Sequence, residues 1–149
     1  MGFALMGTPL RNAVNNFLWT SPEALPDDAP DDQLCSEPHS FSRVWTGAWY
    51  EMMVRMYEKN KQNGMAQKDA LKLARDVAAN YLLLAIPSVP NTVRLFEAVA
   101  RQMLVVDTAN SSRYHDVMVQ VFKNRKIVPN TVTMLSAISH DDLKDKQAG

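Results

Sequence analysis

"PHSFSRVWTGAWYEMMVRMY", residues 38–57, is the stretch whose period settles the fold. Phe41, Val44, Trp45, Ala48, Met52 and Met56 recur at steps of three and four residues, which puts them on one face of an α-helix. A half-buried strand would alternate in twos, and this segment does not. Downstream, "KNKQNGM" has lysines for a last helical turn and a glycine just beyond it, the composition of a helix end.

The same period continues along the chain. A second helix is predicted from about Gln67 to Leu83, with Ala70, Leu73, Ala74, Val77, Ala78 and Tyr81 inward. In isolation "YLLLAI" reads as a strand, but it extends that stripe and is taken as helical. Pro87 and Pro90 interrupt the chain. A third helix is predicted to start near Thr92 and to bury Val93, Phe96, Val99, Ala100, Met103 and Leu104. "DTANSS" is a turn cluster in which Ser112 is the expected N-cap of a fourth helix. That helix carries Tyr114, Val117, Met118, Val121 and Phe122, and Pro129 is expected to stop it. "NTVTMLSAI" reads as a last short helix or strand, and "SHDDLKDKQAG" as a frayed tail. The expected fold is therefore all-α, a bundle of about four to five helices.

Ahead of the bundle lies a long irregular arm. Pro9, Pro22, Pro26, Pro30 and Pro38 rule out a regular helix or a central strand across "TSPEALPDDAPDDQLCSEP". "PLRNAVNNFLW" before it reads as a short turn or helix. The expected organisation is one domain: arm 1–38, bundle 39–128, and a terminal element with tail at 129–149. No period of ~20–50 residues repeats, so a solenoid is excluded.

Composition narrows the function classes. The chain has 149 residues, 46% hydrophobic and 21% charged, with no net charge. No bulk field draws it to nucleic acid or an anionic membrane, and neither is an expected partner. The charge is nonetheless uneven. Glu23, Asp27, Asp28, Asp31, Asp32 and Glu37 face Arg11 alone in the first 38 residues, which reads as a solvated acidic segment. The single cysteine, Cys35, excludes an intrachain disulfide and a thiol metal cluster. No apolar run is long enough to span a bilayer, since about 18 residues would be needed. Glycine-rich phosphate loops, the G-x-S-x-G elbow and H-E-x-x-H are all missing from the chain. The three histidines, His39, His115 and His140, lie far apart, and His115 is expected on the surface. The nine methionines at helical spacing read as core filler rather than a binding groove. Trp45, Trp49 and Tyr50 read as buried anchors of the first helix rather than a substrate-facing wall.

Three blocks resemble the C-terminal half of thermolysin-family zinc metallopeptidases. "PLRNAVN" is similar to the family's Leu-Arg segment before an irregular loop. "PHSFSRVWTGAWYEMM" is similar to the block in which a histidine lies just before a helix. "KDALKLARDVAANYLLLAIPSVPNTVRLFEAVARQML" through "SSRYHDVMVQVFKNRKIV" resembles the family's C-terminal helices. The resemblance covers roughly residues 8–128, and the shared order and spacing of the blocks carry it. It implies that His39 donates a hydrogen bond to the oxyanion of a tetrahedral intermediate, a contribution typically worth ~3 kcal/mol. A neutral imidazole keeps one N–H for that task. It also implies that Arg11 binds a substrate carbonyl with its planar fork.

Five residues before its histidine the family usually has an orienting aspartate; this chain has Leu34, with Asp31, Asp32 and Glu37 nearby. The family's zinc helix and downstream glutamate ligand would precede these residues, so zinc is expected in that missing half and none in this chain. The implied partners are that preceding half and a peptide substrate. The chain alone is expected to be inactive, and the parent protein exported. The other reading of the same residues is a stand-alone helical interaction module, docking through the acidic arm or a methionine-rich groove.

Overall fold

The computed structural model describes residues 12–128. Four helices follow the arm: α1 Pro38–Gln62, α2 Gln67–Ala85, α3 Leu95–Ala109 and α4 His115–Asn124. Among the described residues there is no strand. Each helix packs on its neighbours in the chain, and α4 closes the ring by returning to α1. The fold is the all-α bundle with a preceding arm that the sequence predicts. The suggested element at 130–138, Pro129, His140 and Arg11 lie outside the described residues.

The core follows the periodic faces. Val44, Ala48, Met52 and Met56 of α1 share one buried cluster with Ala74, Ala78 and Tyr81 of α2, and Ala70 is buried as well. The alanine row gives α2 a shallow face, and the long unbranched methionines of α1 fill the space it leaves. Met103 and Met118 are also buried, so these methionines are core and do not form an open groove. Trp45 is half-buried and stacks against Phe96 and Phe122, with ring centroids 5.6 and 6.0 Å away. Trp49 packs on the core, half-buried, and Tyr50 lies exposed.

Three helices end in the same way. After α1, Gly64 is left-handed at φ 85°, its N–H meets Lys61 O, and Met65 N–H meets Asn60 O. This is a Schellman end, in which a left-handed residue lets two late carbonyls find donors. After α3, Ser111 is left-handed at φ 72° and Ser112 N–H meets Asp107 O. After α4, Lys126 is left-handed at φ 57° and Ile127 N–H meets Phe122 O. Only the first of these ends carries the glycine that marks it in a sequence.

Two predicted boundaries shift. The third helix begins at Leu95, not near Thr92, and Val93 is 96% exposed instead of buried. The Thr92 hydroxyl accepts the Arg94 N–H at 3.2 Å, a local turn that competes with helical continuation. Ser112 is not the cap of α4. It is left-handed at φ 52°, and Tyr114 occupies the cap position. A carboxylate from α3 takes over the capping task. Asp107 Oδ1 accepts the Tyr114 N–H at 3.0 Å. α4 ends at Asn124, before Pro129 is reached.

Candidate functional site

The arm crosses α1 where the helix has no side chain. A Cβ on Gly47 would lie 2.7 Å from Arg125 Nη1 and closer still to Asn15 Oδ1. Glycine here leaves room for the Asn15 amide and the Arg125 guanidinium against the helix. Arg125, only 6% exposed, then binds the arm through Asn15 Oδ1 at 3.0 Å and Phe17 O at 3.2 Å. Its Nε is paired with Glu51 at 3.0 Å, and its own carbonyl accepts the Trp19 N–H at 2.8 Å. The Arg94 guanidinium lies 4.6 Å from the Trp19 ring centre. This anchor turns the arm so that its second half meets the start of α1.

At that meeting lies a cleft of about 250 Å³, with Asp28, Asp31 and Cys35 on the arm side and Glu37, His39 and Arg43 on the helix side. The first turn of α1 is well formed. Pro38 stands at its first position, and Glu37 caps it by accepting the Ser40 N–H at 2.8 Å. Exposed His39 therefore sits at the second residue of α1, on the cleft. The backbone position is fixed by Pro38 and the cap.

Arg43 ties the two sides together. It donates to Asp31 O and Gln33 O, each at 2.5 Å, and to Ser40 Oγ at 2.7 Å, while its guanidinium lies 4.5 Å from the Phe17 ring centre. Its charge is thus engaged with carbonyl oxygens, although acidic side chains surround it. Arg125 does the same at Phe17. The arm is held by arginines through its backbone, and the acidity of Asp28, Asp31 and Asp32 is turned to solvent and to the cleft. Nothing in the sequence pattern singles out Arg43 or Arg125, because a carbonyl acceptor carries no residue identity.

Leu34, five residues before His39, is half-buried and packs on the core. Of the nearby carboxylates, Asp31 and Glu37 share the cleft with His39. The sequence-predicted Arg11 is outside the described residues, so the geometry does not relate it to His39. The described residues do not suit zinc: no three histidine, cysteine, aspartate or glutamate side chains converge as ligands among them. Nor is any helix among them long and apolar enough to cross a membrane.

A second polar cluster lies inside the bundle. Asp107, with no exposure, accepts the Tyr81 hydroxyl and the Tyr114 N–H, each at 3.0 Å. The Tyr114 hydroxyl reaches buried Asn60 at 2.7 Å, and Asn60 donates to Ala70 O at 3.3 Å. Burial, and then the bond to Asp107, pushes the Tyr81 pKa well above the ordinary value of 10.0. His115, expected on the surface, is half-buried, and its buried Nδ1 faces Asp107 Oδ2 at 3.8 Å. That is too long for a hydrogen bond. The chain Asn60–Tyr114–Asp107–Tyr81 links all four helices. It is sealed from solvent and from the cleft, which makes it a structural seam.

No family model, curated protein or solved structure matches the chain.

Proposed function

We propose that this chain is the helical C-terminal subdomain of a thermolysin-like zinc metallopeptidase, forming one wall of the substrate cleft. The observation that carries the reading is His39. The block resemblance assigns it an oxyanion-stabilising role, and it stands exposed in the first turn of α1, lining a cleft. Pro38 and the Glu37 cap fix the backbone that carries it, and a donor set at a defined place is what stabilising a developing negative charge requires. Arg11 would bind a substrate carbonyl beside it. The metal and the group that activates water would come from the preceding part of the polypeptide, and this chain alone hydrolyses nothing.

The gene upstream of the codon for residue 1 tests this directly. The reading expects an H-E-x-x-H followed by a glutamate about twenty residues later, the spacing of a helical zinc site. Absence of that motif from the upstream frame and from any co-encoded partner would overturn it. So would zinc-dependent peptidase activity of the purified 149 residues.

A second reading, a helical interaction module without catalysis, is favoured by one surface. Leu83, Leu84 and Ile86 at the end of α2 are exposed, as are Val93 and Leu95 before and at the start of α3. Exposed apolar groups gathered at one end of a bundle mark a contact surface more often than open solvent. Of the methionines considered for that role, Met52, Met56, Met103 and Met118 are buried in the core.

A further inference from the structure

The arm between Pro26 and Ser36 is a closed loop. Ser36 N–H meets Pro26 O at 2.9 Å, which joins the loop at its neck, and Gln33 N–H meets Pro30 O at 2.9 Å within it. Ser36 Oγ also reaches Asp27 Oδ1 at 3.4 Å. A compact loop with joined ends moves as one piece. Its tip, at Asp31 and Gln33, is bound to α1 through the two carbonyls that Arg43 holds. Its far end is bound through Cys35 N–H, which donates to Ser40 Oγ at 3.1 Å, the same oxygen that Arg43 engages. Beneath this arrangement lies Cys35, free and 4% exposed, facing the cleft. The other anchor of the arm, at Asn15 to Trp19, is built on buried Arg125; Arg43 touches it through its guanidinium over the Phe17 ring at 4.5 Å and its carbonyl, which accepts from Asn15 Nδ2 at 3.1 Å, but donates no hydrogen bond to it.

We infer that Arg43 is a clasp: it holds the loop 26–36 as the movable wall of the His39 cleft, and this loop opens from α1 as a unit while the Arg125 anchor stays closed. The asymmetry is physical. Arg125 sits in the packed interior with a carboxylate partner, so releasing it disrupts the bundle. Arg43 is half-buried and holds backbone carbonyls that water can satisfy equally well once the loop lifts. The inference uses only the loop, Arg43 and Cys35, and stands independently of the peptidase reading. A loop that opens in this way would admit a ligand to the side of the cleft opposite His39.

The chain's single cysteine makes the test clean. The rate at which Cys35 reacts with a small aromatic disulfide is measured in the wild-type chain and in Arg43→Lys, Arg43→Ala and Arg125→Lys. Amide exchange of the four helices is followed in the same samples. Loss of the guanidinium fork should raise the thiol rate about tenfold or more. Arg43→Lys, which keeps the charge without the fork, should behave like Arg43→Ala, and helix exchange should not change. Arg125→Lys should accelerate helix exchange and the thiol together. An unchanged thiol rate in the Arg43 variants would overturn the clasp. So would a rise matched by an equal rise in helix exchange, because the thiol would then report global unfolding.

Discussion

In the bundle, the polar groups that matter are buried and meet one another: Asp107 binds Tyr81 and the start of α4, and Tyr114 binds Asn60. In the arm, cationic side chains reach across and meet backbone carbonyls: Arg43 at Asp31 and Gln33, Arg125 at Phe17. The difference decides how each region responds to disturbance. A buried donor that loses its acceptor has no water to turn to, so breaking the seam is costly. A surface carbonyl released by an arginine is rehydrated at once, so lifting the loop 26–36 costs chiefly the burial of Leu34 and Cys35. One architecture thus combines a fixed scaffold with a movable cleft wall, and His39 stands at the boundary between them.

The largest expected effect comes from the seam. Asp107→Ala strands the Tyr81 hydroxyl and the Tyr114 N–H in the interior and should lower unfolding free energy by about 4 kcal/mol. Urea titration reads this; a loss smaller than about 1 kcal/mol would mean that water reaches these groups and that the seam is not sealed. At the crossing of arm and helix the expected effect is smaller. Gly47→Ala forces a Cβ against Asn15 and Arg125 and should cost about 2 kcal/mol. Adding Asn15→Ala should recover part of that cost in a double-mutant cycle, whereas simple additivity would show that the clash lies elsewhere.

The smallest effect belongs to the surface pair Lys59–Asp116, at 2.5 Å, in which Asp116 is 70% exposed. The hydrogen bond from Lys59 holds the Asp116 pKa below its ordinary value of 3.8. The pair therefore stabilises the fold above that value, and its contribution fades as pH falls through the lower folded pKa. Asp116→Asn should cost about 0.5 kcal/mol at neutral pH and nothing in strong acid. A cost that persists in acid would assign the effect to packing.

The helices were legible because burial here has a period. Val44, Ala48, Met52 and Met56 announce α1, and Gly64 announces its end. What could not be read was carried by groups without a sequence mark. Ser111 and Lys126 take the left-handed conformation that glycine usually signals, so only the turn cluster "DTANSS" marked the end of α3 and nothing marked the end of α4 at Asn124. Asp107 sits in a helix whose apolar stripe masks its role as the acceptor at the start of α4. Val93 fits the stripe of α3 in register, yet the Thr92 turn delays the helix and leaves it exposed. The site was half legible. The resemblance singled out His39 and expected it just before the helix, whereas it is the second residue of α1; the loop facing it and the arginine that holds the loop follow from backbone contacts alone.

The account rests most heavily on His39 as a donor to a developing oxyanion. The direct measurement is steady-state kinetics of His39→Ala and His39→Gln in the longer polypeptide that the proposal expects, in which a zinc-binding segment precedes this chain. The account predicts a fall in kcat/KM of about 10²-fold or more for His39→Ala, borne by kcat with little change in KM. His39→Gln, which retains an N–H donor, should recover part of it. An unchanged kcat/KM in a folded His39→Ala variant would contradict the account and leave His39 as a polar residue at the start of a helix.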